Sequence, residues 1–238
     1  MKHQGLSLDR LVAYSYIAAC ALAAAACPGR LAPLVTSVLV PSERAQAVAW
    51  AARTVPRHDT AIRFRFQYRD SRKQWVGRGT ARVAPPDSLR FDYVGPLGLG
   101  AGAAVVVGDS EIWADPEENF RALVPAVRML WAGLGVVRPP GTTATVSSTQ
   151  GAAGTTWRFA EGADTIDYVA FDGAPRTLEA EWRREGKVVA RSRTELDAAG
   201  QPTDARILFP QAPAHFELTI VGIDTTATIA PTLWRSRR

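Results

Sequence analysis

Few residues of this chain have the type and spacing that covalent chemistry needs. Its histidines are His3, His58 and His215, and its two cysteines are Cys20 and Cys27. A zinc site takes three or four ligands at set spacings, and separated histidines without carboxylate partners do not define one. There is no G-x-S-x-G elbow to present a serine nucleophile. Asp115 with Glu117 and Glu118 could be read as an acid/base pair, but Pro116 among them makes helix capping the simpler account. Gly98, Gly100 and Gly102 resemble a phosphate loop only superficially, because a β-like run follows them and no helix N-terminus is offered to an anion. The expectation is a protein that is not an enzyme, with no catalytic residue, metal or cofactor.

The cysteines suggest a different kind of chemistry. Leu11–Ala26 carries no charge, follows Lys2 and Arg10, and ends in Ala24-Ala25-Ala26-Cys27. This is the layout of a secretory signal, and the run is shorter than the ~20 residues of a spanning helix. Small residues directly before a cysteine resemble a bacterial lipobox, in which the thiol is diacylated and cleavage makes that cysteine the new N-terminus. Two or more acyl chains give stable anchoring. Ile17-Ala18-Ala19-Cys20 also fits the pattern but leaves a short apolar stretch before it, so Cys27 is favoured and Cys20 stays open. The chain then divides into a signal at 1–26, a lipidated tether at 27–41 marked by Pro28, Pro33 and Pro41, and a folded body at 42–238.

Composition bounds that body. With 47% hydrophobic and 21% charged residues the chain is neither disordered nor low in complexity. A net charge of +5 is small for 238 residues and does not imply nucleic-acid binding.

The elements that must position any site follow from periodicity. Ser42 is the expected N-cap of a short helix with Ala45, Val48, Ala49, Ala52 and Val55 on its apolar stripe, stopped by Pro56. From Ile62 the period changes to two, with Ile62, Phe64, Phe66 and Tyr68 alternating with Arg63, Arg65, Gln67 and Arg69. Further strands are expected at 74–83, 89–93, 103–107 and 111–113. A second helix begins at Pro116 and puts Phe120, Leu123, Val124, Val127, Leu130, Trp131 and Leu134 on one stripe. Pro125 should kink or split it. Strands resume at 155–160, 165–171, 177–183, 187–195, 204–209 and 216–225. This pattern predicts a mainly β (α+β) fold, a large curved antiparallel sheet with a few helices on one face.

Two apolar features stand out. The aromatic face of the early strands (Phe64, Phe66, Tyr68, Leu89, Phe91, Tyr93) and the helix stripe (Phe120, Leu123, Val127, Leu130, Trp131) must bury each other or a ligand. Periodicity leaves ordinary core and acyl-chain cavity both open. Leu97 and Leu99 lie in the Gly- and Pro-rich connection Gly95–Gly102, where apolar residues suggest membrane or partner contact.

From Gly79 to Pro140 the chain resembles the LolA/LolB family of bacterial lipoprotein-localisation proteins. The family's strand and loop, an arginine followed at fixed distance by P-L-G, is matched by Arg90-Phe91-Asp92-Tyr93-Val94-Gly95-Pro96-Leu97-Gly98. The end of its lid helix is matched by Met129-Leu130-Trp131-Ala132-Gly133-Leu134-Gly135. The order of elements agrees over most of 42–230, and Cys27 favours the anchored LolB side. The resemblance implies an unclosed half β-barrel lidded by helices, with an apolar cavity for lipoprotein acyl chains. It makes Cys27 the lipid anchor and Leu97 the leucine of the membrane-insertion loop. Implied with it are an outer-membrane, periplasm-facing location, a periplasmic lipoprotein carrier as partner, and a monomer. The Gly98–Gly102 run and Pro125 depart from the family pattern.

Overall fold

The computed structural model describes residues 38–98, 100–118, 126–151 and 154–235, with Leu31 and Leu34 singly. Its core lies within Pro33–Arg238, which forms a unit of its own. Cys20, Cys27, Leu99, Phe120, Leu123 and Pro125 fall outside the described residues.

The chain runs β1 (Val40–Pro41), α1 (Arg44–Ala52), β2 (Thr60–Arg69), β3 (Gln74–Ala84), β4 (Ser88–Val94), β5 (Gly102–Val107) and β6 (Ser110–Asp115). After α2 (Val127–Gly133) come β7 (Thr145–Gly151), β8 (Gly154–Glu161), β9 (Asp164–Phe171), β10 (Arg176–Arg184), β11 (Lys187–Leu196), β12 (Pro202–Phe209) and β13 (Ala214–Asp224). All thirteen strands form one antiparallel sheet in the order β1-β7-β8-β9-β10-β11-β12-β13-β2-β3-β4-β5-β6. Two meanders are thus joined by the pairing of β13 with β2, and β1 and β6 remain unclosed edges. The expected large open sheet is present.

The sheet curls around α2. That helix touches β10, β11 and β12 in mid-sheet and also β6 at one edge. β12 and β6 are six steps apart in the strand order, which in a flat sheet is roughly 29 Å at the usual strand spacing. A helix about 10 Å across reaches both only if the sheet bends over it.

The period-two alternation places side chains as expected. Along β2, Ile62, Phe64, Phe66 and Tyr68 are buried, while Arg63, Arg65 and Arg69 are exposed. Three inward aromatics lie directly opposite glycines of the next strand: Phe66 opposite Gly77, Phe64 opposite Gly79, Tyr93 opposite Gly102. Each ring covers its partner so closely that a Cβ there would come within 3.0 Å of it. The rings fill space that an alanine would need, which explains glycine in strand interiors where it otherwise costs entropy.

The helices differ from the sequence expectation. Helix α1 begins at Arg44 after Glu43, and the Ser42 hydroxyl bonds instead to the Val40 carbonyl and to Ser148 Oγ. Its buried residues are Ala47, Trp50 and Ala51, and Val48 is exposed. The stripe was expected through Ala45, Val48, Ala49 and Ala52. Alanines are nearly indifferent to burial, so the one large side chain sets the phase: Trp50 packs 5.8 Å from the ring of Trp157 and 6.3 Å from Tyr168. Helix α2 starts after Ala126, whose backbone lies outside the helical range (φ −121°, ψ 84°), while Glu117 and Glu118 at the expected helix start are helical as well. A break at this place is what Pro125 was expected to cause. Two strands were not anticipated, β1 and β7; β7 reads Thr-Val-Ser-Ser-Thr-Gln-Gly, with no apolar alternation to reveal it.

The glycine–ring pairs give a direct test. Gly79→Ala should destabilise the body by about 1–3 kcal/mol, since the methyl must displace both the Phe64 ring and the facing strand. Thermal denaturation should show a melting temperature lowered by several degrees. Gly173→Ala, where nothing lies within 4 Å, should leave it unchanged.

Candidate functional site: a lidded concave face and a protruding leucine

On the concave face the aromatics of β2 and β4 form one packed layer. Phe64 and Phe91 stack at 4.9 Å, Phe66 meets Tyr93 edge-on at 6.2 Å, and Phe216 of β13 lies 5.7 Å from Phe66. Leu89, Leu130 and Trp131 belong to the same buried cluster, and Val127 packs half-buried at its margin. The structure therefore brings together every described member of the expected cavity set. There they pack against one another and share a single buried cluster with α2. Met129 through Gly133 are all buried, so α2 is enclosed on all sides, more than a one-sided stripe implies.

Polar contacts hold the lid at named points. Trp131 Nε1 donates to the Gly108 carbonyl at 2.7 Å in the β5–β6 turn, and the Arg138 guanidinium lies 5.0 Å over the same ring. Thr194 of β11 donates to the Ala132 carbonyl at 2.7 Å in a fully buried bond. Val137 N donates to Thr54 Oγ1 just after α1, at 2.8 Å. Arg128 of α2 lies 3.5 Å from Asp164 and 3.8 Å from Asp109, and Arg138 lies 3.7 Å from Asp109.

Asp164 is the hub of that latch. It accepts from Arg184 and from Trp182 Nε1 (3.1 Å) as well as facing Arg128. The Arg184 hydrogen bond, helped by Trp182 and the charge of Arg128, holds its carboxyl below the usual aspartate range despite opposing desolvation. Tyr68, at the far end of the aromatic row, is pushed up to about 12 by burial and by the neighbouring charge of Asp70. Asp109, Asp164, Arg128 and Arg184 were not singled out in the sequence, because only the tertiary fold brings them together.

An opening of about 400 Å³ lies between the end of α1 and the end of α2, lined by Val55, Ile62, Leu134, Val136 and Ile223 with Arg53 at its rim. His58 also lines it, whereas His215 sits on β13 opposite Arg69. Asp115 ends β6, and Glu117 and Glu118 are exposed.

Leu97 is placed apart from all of this. It sits in the short turn Pro96–Gly98 with φ 55° and ψ 21°, and its side chain is 99% exposed. A left-handed backbone costs a leucine roughly 1–2 kcal/mol, and full exposure adds nothing in return within the chain. Pro96 fixes its own φ and extends Gly95, which projects the turn beyond β4. Among the described residues no helix is long and apolar enough to cross a membrane.

No protein-family model matches the chain, and no curated protein matches it in sequence. Solved structures do match it. A LolA superfamily protein from Nitrosomonas europaea aligns with a TM-score of 0.55 at 9% identity, covering 82% of this chain and 98% of that one. A putative outer membrane lipoprotein-sorting protein domain from Vibrio parahaemolyticus aligns at 0.48 and 7% identity, covering 80% and 97%. A DUF1329 family protein from Desulfovibrio piger aligns at 0.45 and 8%, covering 81% and 95%. The first alignment shows that this chain shares the fold of that protein, in agreement with the fold implied by the resemblance read from its residues.

The latch yields a pH prediction. Because the folded carboxyl of Asp164 titrates below its unfolded value, the unfolded chain takes up the proton first as pH falls. The stability it contributes is present above the unfolded value of about 3.9 and is lost in more acid solution. Asp164→Asn should lower the melting temperature at neutral pH, and its further fall between about pH 5 and 3 should be smaller than that of the unaltered protein. Parallel slopes for the two proteins would exclude Asp164 as the titrating member of the latch.

Proposed function

We propose that this chain is a non-catalytic, LolB-like lipoprotein that takes up acyl chains of other lipoproteins and helps localise or insert them into the outer membrane. The observation that carries the reading is Leu97: a fully exposed leucine held in a left-handed turn beside a sheet whose apolar face shares a core with short helices. Buried in a bilayer interface, one leucine contributes about 1.5–3 kcal/mol, enough to bias contact and too little to anchor. Anchoring falls to acylated Cys27, with the body facing the periplasm. Uptake requires α2 to lift from the aromatic layer, breaking the Trp131–Gly108 and Arg128–Asp164 contacts and exposing Phe64, Phe91 and Leu130 to the incoming chain. A periplasmic lipoprotein carrier is the donor in this scheme, and the protein acts as a monomer.

A second reading is a lipid- or partner-binding lipoprotein with the same fold and no transfer step. The burial of α2 and of the aromatic layer in one continuous core favours it.

The two readings diverge at Leu97. Leu97→Glu should leave the melting temperature unchanged, because the side chain touches nothing, and should preserve uptake of an environment-sensitive fatty acid. Delivery of acylated cargo into liposomes should stop. A stable Leu97→Glu protein that still delivers at the native rate would sink the transfer reading. The anchor is tested separately: Cys27→Ser should abolish incorporation of radiolabelled fatty acid, and undiminished labelling would shift the anchor to Cys20.

A further inference from the structure

The outer face of β2 and β3, beside the Leu97 turn, carries an unusual charge. Between Thr60 and Ala84 there are seven cations (Arg63, Arg65, Arg69, Arg72, Lys73, Arg78, Arg82) and one acid, Asp70. This excess of six exceeds the +5 of the whole chain, so everything outside the hairpin sums to −1. Asp70 itself is engaged by the backbone N–H groups of Arg72 and Lys73 at 2.7 Å.

Elsewhere on the outer face, arginines are matched to acids. Arg158 and Arg183 flank Asp167, Arg191 takes Glu181, Arg193 takes Glu179 at 2.9 Å, and Arg206 takes Glu217 at 2.8 Å. Arg82 pairs with Asp92, and Arg63 faces Asp224. Arg65 and Arg78 differ. They stand directly opposite one another across β2 and β3, both exposed, and among the described residues neither forms an ion pair or side-chain hydrogen bond. Two like charges in register repel, and among the described residues no acid pairs with either. They border an open depression of about 690 Å³ floored by Gln67 and Val76 and walled by Pro96 and Leu97, with Glu217 at its far side already held by Arg206. Val76 is itself an exposed apolar residue.

We propose that this face docks on an anionic bilayer, with Arg65 and Arg78 receiving the phosphate groups of anionic lipids while Leu97 enters the interface beside them. Paired arginines suit phosphate oxygens, and an exposed leucine next to them suits the acyl boundary just below. The occupant is a lipid surface, because a free anion would use the arginines and leave Leu97 and Val76 in water. The inference deepens the membrane-contact reading of Leu97, yet its test involves no cargo, so the two can fail separately.

The test is co-sedimentation of the Pro33–Arg238 unit, which contains the whole described core, with vesicles of pure phosphatidylcholine or of phosphatidylcholine containing phosphatidylglycerol. Binding should be much stronger to the anionic vesicles and should weaken as salt rises. The double variant Arg65→Gln/Arg78→Gln should bind them about 30-fold less tightly, from the usual contribution of a basic residue at an anionic surface. Arg53→Gln/Arg57→Gln removes the same charge from exposed positions away from this face and should weaken binding by less than about threefold. Equal losses in the two double variants would reduce the effect to net charge and overturn the site. Equal affinity for both vesicle types would overturn it as well, as would loss of vesicle binding in inorganic phosphate at constant ionic strength, which would mark a free-anion site.

Discussion

The indole of Trp131 has no exposure, and its N–H has one partner, the carbonyl of Gly108 in the turn between β5 and β6. A buried indole donor left unpaired would cost about 1–3 kcal/mol, so the helix can sit on the concave face only where that carbonyl meets it. One residue later, the Ala132 carbonyl takes the Thr194 hydroxyl from mid-sheet. Successive residues of one short helix therefore tie a free edge of the sheet to its centre. Seven residues are far too few for a helix that stands by itself in water. The helix therefore owes its existence to the sheet that buries it.

The outer face obeys a second rule, which divides the sheet. In β8–β11 two acids, Asp167 and Glu181, lie opposite one another with their side chains fully buried. Such a pair is tolerable only because Arg158, Arg183 and Arg191 surround it, and removing any of them would strand a buried charge. In β2–β3 the charged side chains are all cations, and Arg65 and Arg78 are exposed and, among the described residues, without an ion pair. One half of the sheet settles its electrostatics internally, whereas the other presents them to whatever lies outside.

The strands of the aromatic layer were legible because alternation of Phe64, Phe66 and Tyr68 with arginines leaves only one way to face a core. Strand β7 was not, because Ser and Thr serve equally in strand and loop. Phase along α1 was misread for a related reason: a helix of alanines carries almost no directional signal, and Trp50 alone decided it. Apolar residues for the concave face could be named from periodicity, yet the contacts that fasten the lid could not. Asp109, Asp164, Arg128 and Arg138 come from a turn, a strand start, a helix and a connecting segment, and no local pattern links them. Likewise a glycine at 79 reads as a flaw in a strand until its partner across the ladder is known to be Phe64.

The seam between β13 and β2 bears on how the chain reaches this state. Phe216 faces Tyr68 and Leu218 faces Phe66, so the first long strand acquires one of its two neighbours only from nearly the last. Apart from this seam and the short β1–β7 pairing, the strands pair with those next to them in sequence. The rate-limiting event of folding should then be a loop closure spanning most of the body, and sheets dominated by such distant pairings assemble slowly. Until β13 arrives, β2 exposes both an unpaired edge and the aromatic face that later lies under the lid. Its arginines, spaced along the same strand, are also the kind of charge that discourages stray strands from adding to that edge.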